Sequence, residues 1–177
     1  MSEIGSDGRQ AEATERAARR PGVQQDHVLP FWDIGGGAYF GYRMAIATRL
    51  FDRRIVEILA GHGGFTLPQW RVLAQLGLMD VGTVRSLADG AIVDRSEASR
   101  ALKDLEAGGY VLRSGNPQDG RSPHFSLSEK GRRQFEVMRG PISRFIQDLV
   151  KGLSDEDIEA ANRVLWQVTL GCLSGSR

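Results

Sequence analysis

A long amphipathic helix is the first element that the pattern of apolar and polar residues predicts. Apolar side chains recur every three or four positions from Phe40 to Ile58, the spacing of one helix face. Glycines precede this pattern, and the glycine-rich segment 61–64 ends it by C-capping. A helix of about 26 residues would be roughly 39 Å long, which suggests that a partner chain covers part of it. The stripe consists of Phe40, Met44, Ala47, Phe51, Ile55 and Ile58.

Three shorter helices follow, each introduced by a capping residue. Thr66 and Gln69 form a T-x-x-Q capping box for the first, with Trp70, Leu73 and Leu76 on its core face. The second begins near Thr83, closes around Gly90 and turns Val84, Leu87 and Ala88 inward. The third begins at Asp94, whose side chain we expect to accept hydrogen bonds from the first-turn amides while Glu97 reaches back.

The helix that begins at Asp94 has two contrasting faces. Its apolar face carries Ala98, Ala101, Leu102 and Leu105, and its polar face carries Arg95, Ser96, Ser99, Arg100 and Lys103. Arginine can bind guanine edges with two hydrogen bonds, and serine can bind bases or phosphates. The polar face therefore suits a helix laid in a DNA major groove, and the alternative is an ordinary solvated helix face.

A β-hairpin is predicted directly after this helix. Tyr110 to Arg113 form one strand, the segment 114–122 contains Asn-Pro and Asp-Gly turn signals, and residues 123–127 return with alternating polarity. A helix-turn-helix followed by a hairpin is a winged helix. The predicted fold class is therefore mainly α with a small β-hairpin wing.

Two further helices end the chain. The first opens at Ser128 and carries an apolar side of Phe135, Met138, Ile142, Phe145, Ile146, Leu149 and Leu153. The second is capped by Ser154 and Asp157, and has the seam spacing of Ile158, Ala161, Leu165, Val168 and Cys172. Long amphipathic helices at both ends of a small module predict a homodimer.

These patterns divide the chain into four segments. We expect a flexible, polar N-terminal tail over residues 1–27 and an N-terminal dimerisation helix over 28–62. Residues 63–128 form the predicted winged helix-turn-helix, and residues 129–177 form the C-terminal dimerisation helices.

Composition narrows the picture only slightly. The 177 residues include 23 basic and 22 acidic ones, so the net charge of +1 gives no sign of nucleic-acid binding. Seven basic residues are balanced by seven acidic ones between Leu67 and Ser128. The single cysteine, Cys172, fits a reducing cytoplasm, and no apolar run is long enough for a membrane span.

Other function classes find less support in the sequence. His27, His62 and His124 have no metal-binding spacing, and neither a P-loop nor a G-x-S-x-G motif is present. We therefore expect no enzyme, metal or cofactor. A winged helix that binds a protein remains an alternative, because the local charge is neutral; such a module has no need of an arginine at the wing tip.

The sequence resembles the multiple-antibiotic-resistance regulator (MarR) family of winged-helix transcription factors. The residues that carry the resemblance are TLPQWRVLAQL (66–76), TVRSLAD (83–89), SRALKDLEAGGYVLR (99–113) and DGRSPHFSLSEKG (119–131). It implies a homodimeric regulator, most often a repressor, on a pseudo-palindromic operator. In this pattern Arg121, next to Ser122, reaches the minor groove or its phosphates and Asp119 positions that arginine.

The resemblance also implies a small-molecule effector. Family ligands usually bind between the first, second and fifth helices, where Trp32, Tyr39, Tyr42, Trp70 and Arg71 would suit an aromatic anion. The alternative is that these aromatic residues belong to the core. Arg71 stands where the urate-responsive branch tends to have Asp, which disfavours urate. Cys172 is interpreted as a buried structural thiol, with a thiol-responsive regulator as the alternative.

Overall fold

The computed structural model describes residues 39–115 and 122–174. The chain divides into two compact units, Met1–Ala47 and Thr48–Arg177. The predicted tail and the start of the predicted dimerisation segment lie outside the described residues.

Helices dominate the described residues, with a small antiparallel sheet beside them. This confirms the predicted fold class. The elements are α1 (Phe40–Ala60), α2 (Leu67–Met79), β1 (Val81–Thr83), α3 (Val84–Ala91), α4 (Arg95–Ala107), β2 (Val111–Ser114), β3 (His124–Leu127), α5 (Glu129–Val150) and α6 (Asp155–Ser174).

The core of the second unit lies where α2, α3 and α4 meet the sheet. The predicted inward residues of α4 are all buried, and Leu73, Leu76 and Leu87 are almost fully enclosed. Burying one leucine contributes about 1.5–3 kcal/mol, so this cluster fixes how α4 sits on the domain. Val72 and Leu59 are also fully buried, although the predicted stripes did not include them.

The helix starts were predicted at the right residues, with one error in their chemistry. Thr66 and Gln69 form the expected capping box, and Thr83 forms a second one with Ser86. Asp94 is the N-cap of α4, but its side chain makes no capping hydrogen bond. The predicted Asp94–Glu97 box is therefore wrong. Asp94 is exposed, so water can satisfy the first-turn amides instead.

The sheet has three strands in the order β1-β3-β2. The hairpin was predicted, with β2 running one residue later than expected, at Val111–Ser114. Strand β1 was not predicted; it pairs antiparallel with β3, Gly82 opposite Phe125. Phe125 and Leu127 of β3 face the core, as the alternation indicated.

The three long helices, α1, α5 and α6, have few buried residues compared with α2, α3 and α4. Helix α1 has 21 described residues, of which Ile55 and Leu59 are buried. Met138 and Ile142 of α5 are buried beside Gly131, whereas Ile146, Leu149 and Leu153 are exposed. Helix α6 has no buried residue at all.

Candidate DNA interface

The solvent face of α4 carries the predicted polar set. Arg95, Ser96, Ser99, Arg100 and Lys103 are all exposed, and their spacing places them within about 140° of the helix circumference. The opposite face is anchored by Ala98, Ala101, Leu102 and Leu105 in the core. The structure thus presents five hydrogen-bonding side chains on a rigid helix of 13 residues, about 20 Å long.

The cations on this face have no competing carboxylate among the described residues. No ion pair within that part of the chain involves Arg95, Arg100 or Lys103. Asp104, on the flank of the helix, instead accepts a hydrogen bond from Gln69 Nε2 of α2 at 3.5 Å. The three positive charges therefore remain available for an anionic partner, although the domain as a whole is neutral.

Of the predicted wing residues, the structure describes only Ser122. It is exposed and lies two residues before β3. Arg121 and Asp119 lie outside the described residues. The last pair of the hairpin, Ser114 opposite His124, places the two ends of segment 115–123 side by side.

Arg113 is a basic residue that the predicted binding set did not include. It lies in β2, opposite Phe125 of β3, and its side chain is exposed. The signal in the sequence was a lone arginine in the strand that leads to the wing, which by itself gives no direction for the side chain.

The five proposed ligand residues fall in different parts of the chain. Trp32 lies outside the described residues, and Tyr39 and Tyr42 belong to the first unit, half-buried and exposed respectively. In the second unit, Trp70 stacks on Phe135 with 5.8 Å between ring centroids. Arg71 donates from Nη2 to both carboxylate oxygens of Asp52, at 2.9 and 3.1 Å. This ion pair between α1 and α2 was not predicted, because its partners lie 19 residues apart in different helices.

Cys172 is exposed in the single chain. The interpretation as a buried structural thiol on the seam of α6 concerns the dimer, so it stays a prediction. Within the described ranges, no group of three or more His, Cys, Asp or Glu side chains is arranged to hold a metal ion. No helix in the same ranges is both long and apolar enough to cross a membrane.

Comparison with known proteins identifies the winged helix. The sequence model of the MarR family matches residues 63–122, from the turn after α1 to two residues before β3. Over this segment the chain is similar to the MarR family. The curated relatives that match the chain are helix-turn-helix transcriptional regulators.

A curated relative is similar to about half of the chain. The transcriptional repressor IacR of Pseudomonas putida is 26% identical over 99 residues, which are 56% of this chain and 59% of that protein. The comparison thus spans less than two thirds of the relative's length.

The two solved structures share the fold. A MarR family regulator from Streptomyces coelicolor, in complex with DNA, has a TM-score of 0.68 at 22% identity, covering 75% of this chain and 85% of that one. BpsR of Bordetella bronchiseptica, whose DNA binding is regulated by 6-hydroxynicotinic acid, has a TM-score of 0.60 at 20% identity, covering 72% and 98%.

Proposed function

We propose that this protein is a cytoplasmic transcriptional repressor of the MarR family that binds a pseudo-palindromic DNA operator as a homodimer. The observation that carries the proposal is the exposed polar face of α4, whose three cations have no ion-pair partner among the described residues. In each subunit α4, here called the recognition helix, enters a major groove. Arg121 reaches the adjacent minor groove with Asp119 behind it, and Ser122 contacts the backbone nearby. The similarity to the repressor IacR of Pseudomonas putida supports repression rather than activation.

The neutral charge of the domain affects how it binds DNA. Few phosphate contacts are available, so non-specific affinity is low and most of the discrimination comes from base edges. Arg95 is the first residue of the recognition helix, where side chains commonly contact bases. Removing such a contact costs about 1–3 kcal/mol and relaxes specificity at one position.

A selection and binding experiment tests DNA recognition. Duplexes selected from a random library by the wild-type protein, together with the DNA beside its own gene, are measured by gel shift at two salt concentrations. We expect salt-sensitive binding that Arg95→Ala and Arg121→Ala weaken, while Lys151→Ala, which removes a charge from the turn after α5, has no effect. Failure to select any duplex would favour the protein-binding alternative.

Homodimer formation is supported by the exposed apolar surface of α6. Leu165 is 50% exposed, and Trp166, Leu170 and Leu173 are exposed on the same 20-residue helix. Large apolar side chains exposed together on one helix mark a surface that another chain or domain covers. A second copy of the same helices satisfies that need and gives the two-fold symmetry of a pseudo-palindromic operator.

We further propose that a small aromatic anion modulates DNA binding through Arg71 and Trp70 of the second unit. Arg71 Nη2 already donates to the carboxylate of Asp52, so its guanidinium can bind the carboxylate of a ligand in the same way. Such a ligand has to compete with Asp52. The regulation of BpsR by 6-hydroxynicotinic acid supports this ligand class.

Competition between the ligand and Asp52 makes a direct test possible. We expect 6-hydroxynicotinic acid or benzoate to weaken operator binding by the wild-type protein and to have no effect on Arg71→Gln. Asp52→Asn should increase the sensitivity to the ligand, because the competing carboxylate is gone. Equal responses of the three proteins would exclude Arg71 from an effector site.

A further inference from the structure

The C-terminal end of the recognition helix is held by the first residues of α5. Three successive carbonyl oxygens after this helix each accept a hydrogen bond from Ser128 or Lys130. Lys130 Nζ donates to Gly108 O at 2.6 Å, Ser128 Oγ donates to Gly109 O at 2.7 Å, and the Ser128 amide donates to Tyr110 O at 3.0 Å. We call residues 128–131 the clamp.

Lys130 is in an unfavourable place for its own helix. It is the second residue of α5, where the helix dipole disfavours positive charge. Its ammonium group instead lies at the C-terminal end of the recognition helix, where the dipole favours a cation, and 4.1 Å from the centroid of the Tyr110 ring. A lysine at this position is therefore explained by its contacts at the end of the recognition helix and not by any benefit to α5.

Ser128 and Gly131 bring the two segments into close contact. Ser128 is 9% exposed, and its hydroxyl both donates to Gly109 O and accepts from the Gly131 amide at 2.9 Å. A Cβ at position 131 would lie 1.9 Å from Tyr110 O. Only glycine permits this approach, so the distance between α5 and the end of the recognition helix is fixed at backbone level.

We propose that the clamp sets the angle between the recognition helix and α5, and that Lys130 is thereby a positioning residue for the spacing of the two DNA half-sites. This inference rests on the proposed function, in which the recognition helix contacts DNA, and on the prediction that α5, within residues 129–177, is a dimerisation helix. In a dimer, a change of angle at the clamp moves both recognition helices relative to each other. The half-site spacing that the dimer prefers then depends on contacts that never touch DNA.

The test compares operator spacings rather than affinity alone. Duplexes selected by the wild-type protein are remade with one base pair added or removed between the half-sites, which rotates one half-site by about a tenth of a turn. A duplex with a single half-site serves as the reference. Lys130→Met removes the ammonium and keeps the aliphatic stem, and Lys130→Arg restores a cation that can donate to Gly108 O and stack on Tyr110.

The matched control is Arg133→Met. Arg133 lies one turn further along α5 and pairs with Glu129 rather than with the end of the recognition helix. Both substitutions remove one positive charge from the same part of the chain, so a general electrostatic effect on DNA binding would appear in both. Thermal unfolding of each variant shows separately whether the fold is retained.

We expect the wild-type protein, Lys130→Arg and Arg133→Met to bind the altered spacings about tenfold more weakly than the selected one. For Lys130→Met this preference should fall to about threefold or less, while binding to the single half-site stays unchanged. An equal loss on all duplexes, or an unchanged spacing preference, would overturn the inference while leaving DNA binding in place. If the wild-type protein selects no DNA, the proposed function fails, and the inference fails with it.

Discussion

Ile92 shows that one residue in the helix-turn-helix carries backbone strain without a packing role. It ends α3 in the left-handed conformation, with φ 52° and ψ 52°, and its side chain is 82% exposed. A branched side chain in this region costs roughly 1–2 kcal/mol. The conformation is required, because the Ile92 and Val93 amides both bond to Ala88 O and turn the chain towards Asp94.

We predict that Ile92→Gly stabilises the protein by about 1 kcal/mol. Glycine adopts the left-handed conformation without the clash of a Cβ, and this gain exceeds the entropy that glycine adds to the unfolded chain. Urea unfolding measures the free-energy change. Val137→Gly is the control: Val137 is exposed inside α5, so glycine there should destabilise by about 0.5 kcal/mol. A loss of stability in Ile92→Gly would show that the side chain has contacts worth more than the strain.

Helix caps are the element for which sequence and structure are most easily compared. The chemistry of Thr66 and Gln69 was predictable because a capping box is local, and both of its hydrogen bonds are present. The same reasoning failed at Asp94, because sequence spacing does not determine the side-chain rotamer of an exposed residue. The N-cap residue was predictable for both helices, whereas the capping hydrogen bonds were predictable only for Thr66.

This difference gives a matched pair of substitutions. Thr66→Ala should destabilise the protein by about 1 kcal/mol, since the Gln69 amide loses the Thr66 hydroxyl as its acceptor. Asp94→Ala should cost half of that or less, because only the favourable interaction of its charge with the helix dipole is lost. Chemical unfolding of the two variants beside the wild-type protein provides the measurement. Equal losses would mean that Asp94 does cap α4 in solution.

Strand β1 marks the limit of what local pattern predicts. Its three residues, Val81–Thr83, are too few to show alternation, and their partner His124–Leu127 lies more than forty residues away. The hairpin of β2 and β3 was predictable because its turn chemistry and its alternating residues are adjacent in sequence. The clamp was not predictable for the same reason as β1: its hydrogen bonds join Gly108 to Lys130 across the wing.

The distribution of buried residues distinguishes the winged helix, which has a core of its own, from α6, which has none. The winged helix buries its own core around Leu73, Leu87 and Leu102, so it is stable without a partner for its recognition face. Helix α6 buries nothing, although its seam was predicted from a regular apolar spacing. The seam pattern predicts a face that needs covering, and that a second copy of the chain covers it stays a prediction.

The dimer can therefore be tested at one position of α6. Leu165→Glu places a charge on the predicted seam and should convert the protein to a monomer, because an unpaired carboxylate is costly to bury. Gln167→Glu adds the same charge about 160° away around the helix and should leave the dimer intact. Sedimentation velocity gives the mass of each variant. Monomeric Leu165→Glu should bind a duplex with two half-sites no more tightly than a duplex with one, since the second contact is no longer intramolecular. If it stays dimeric, the seam of α6 is not the dimer interface and its apolar side chains have another partner.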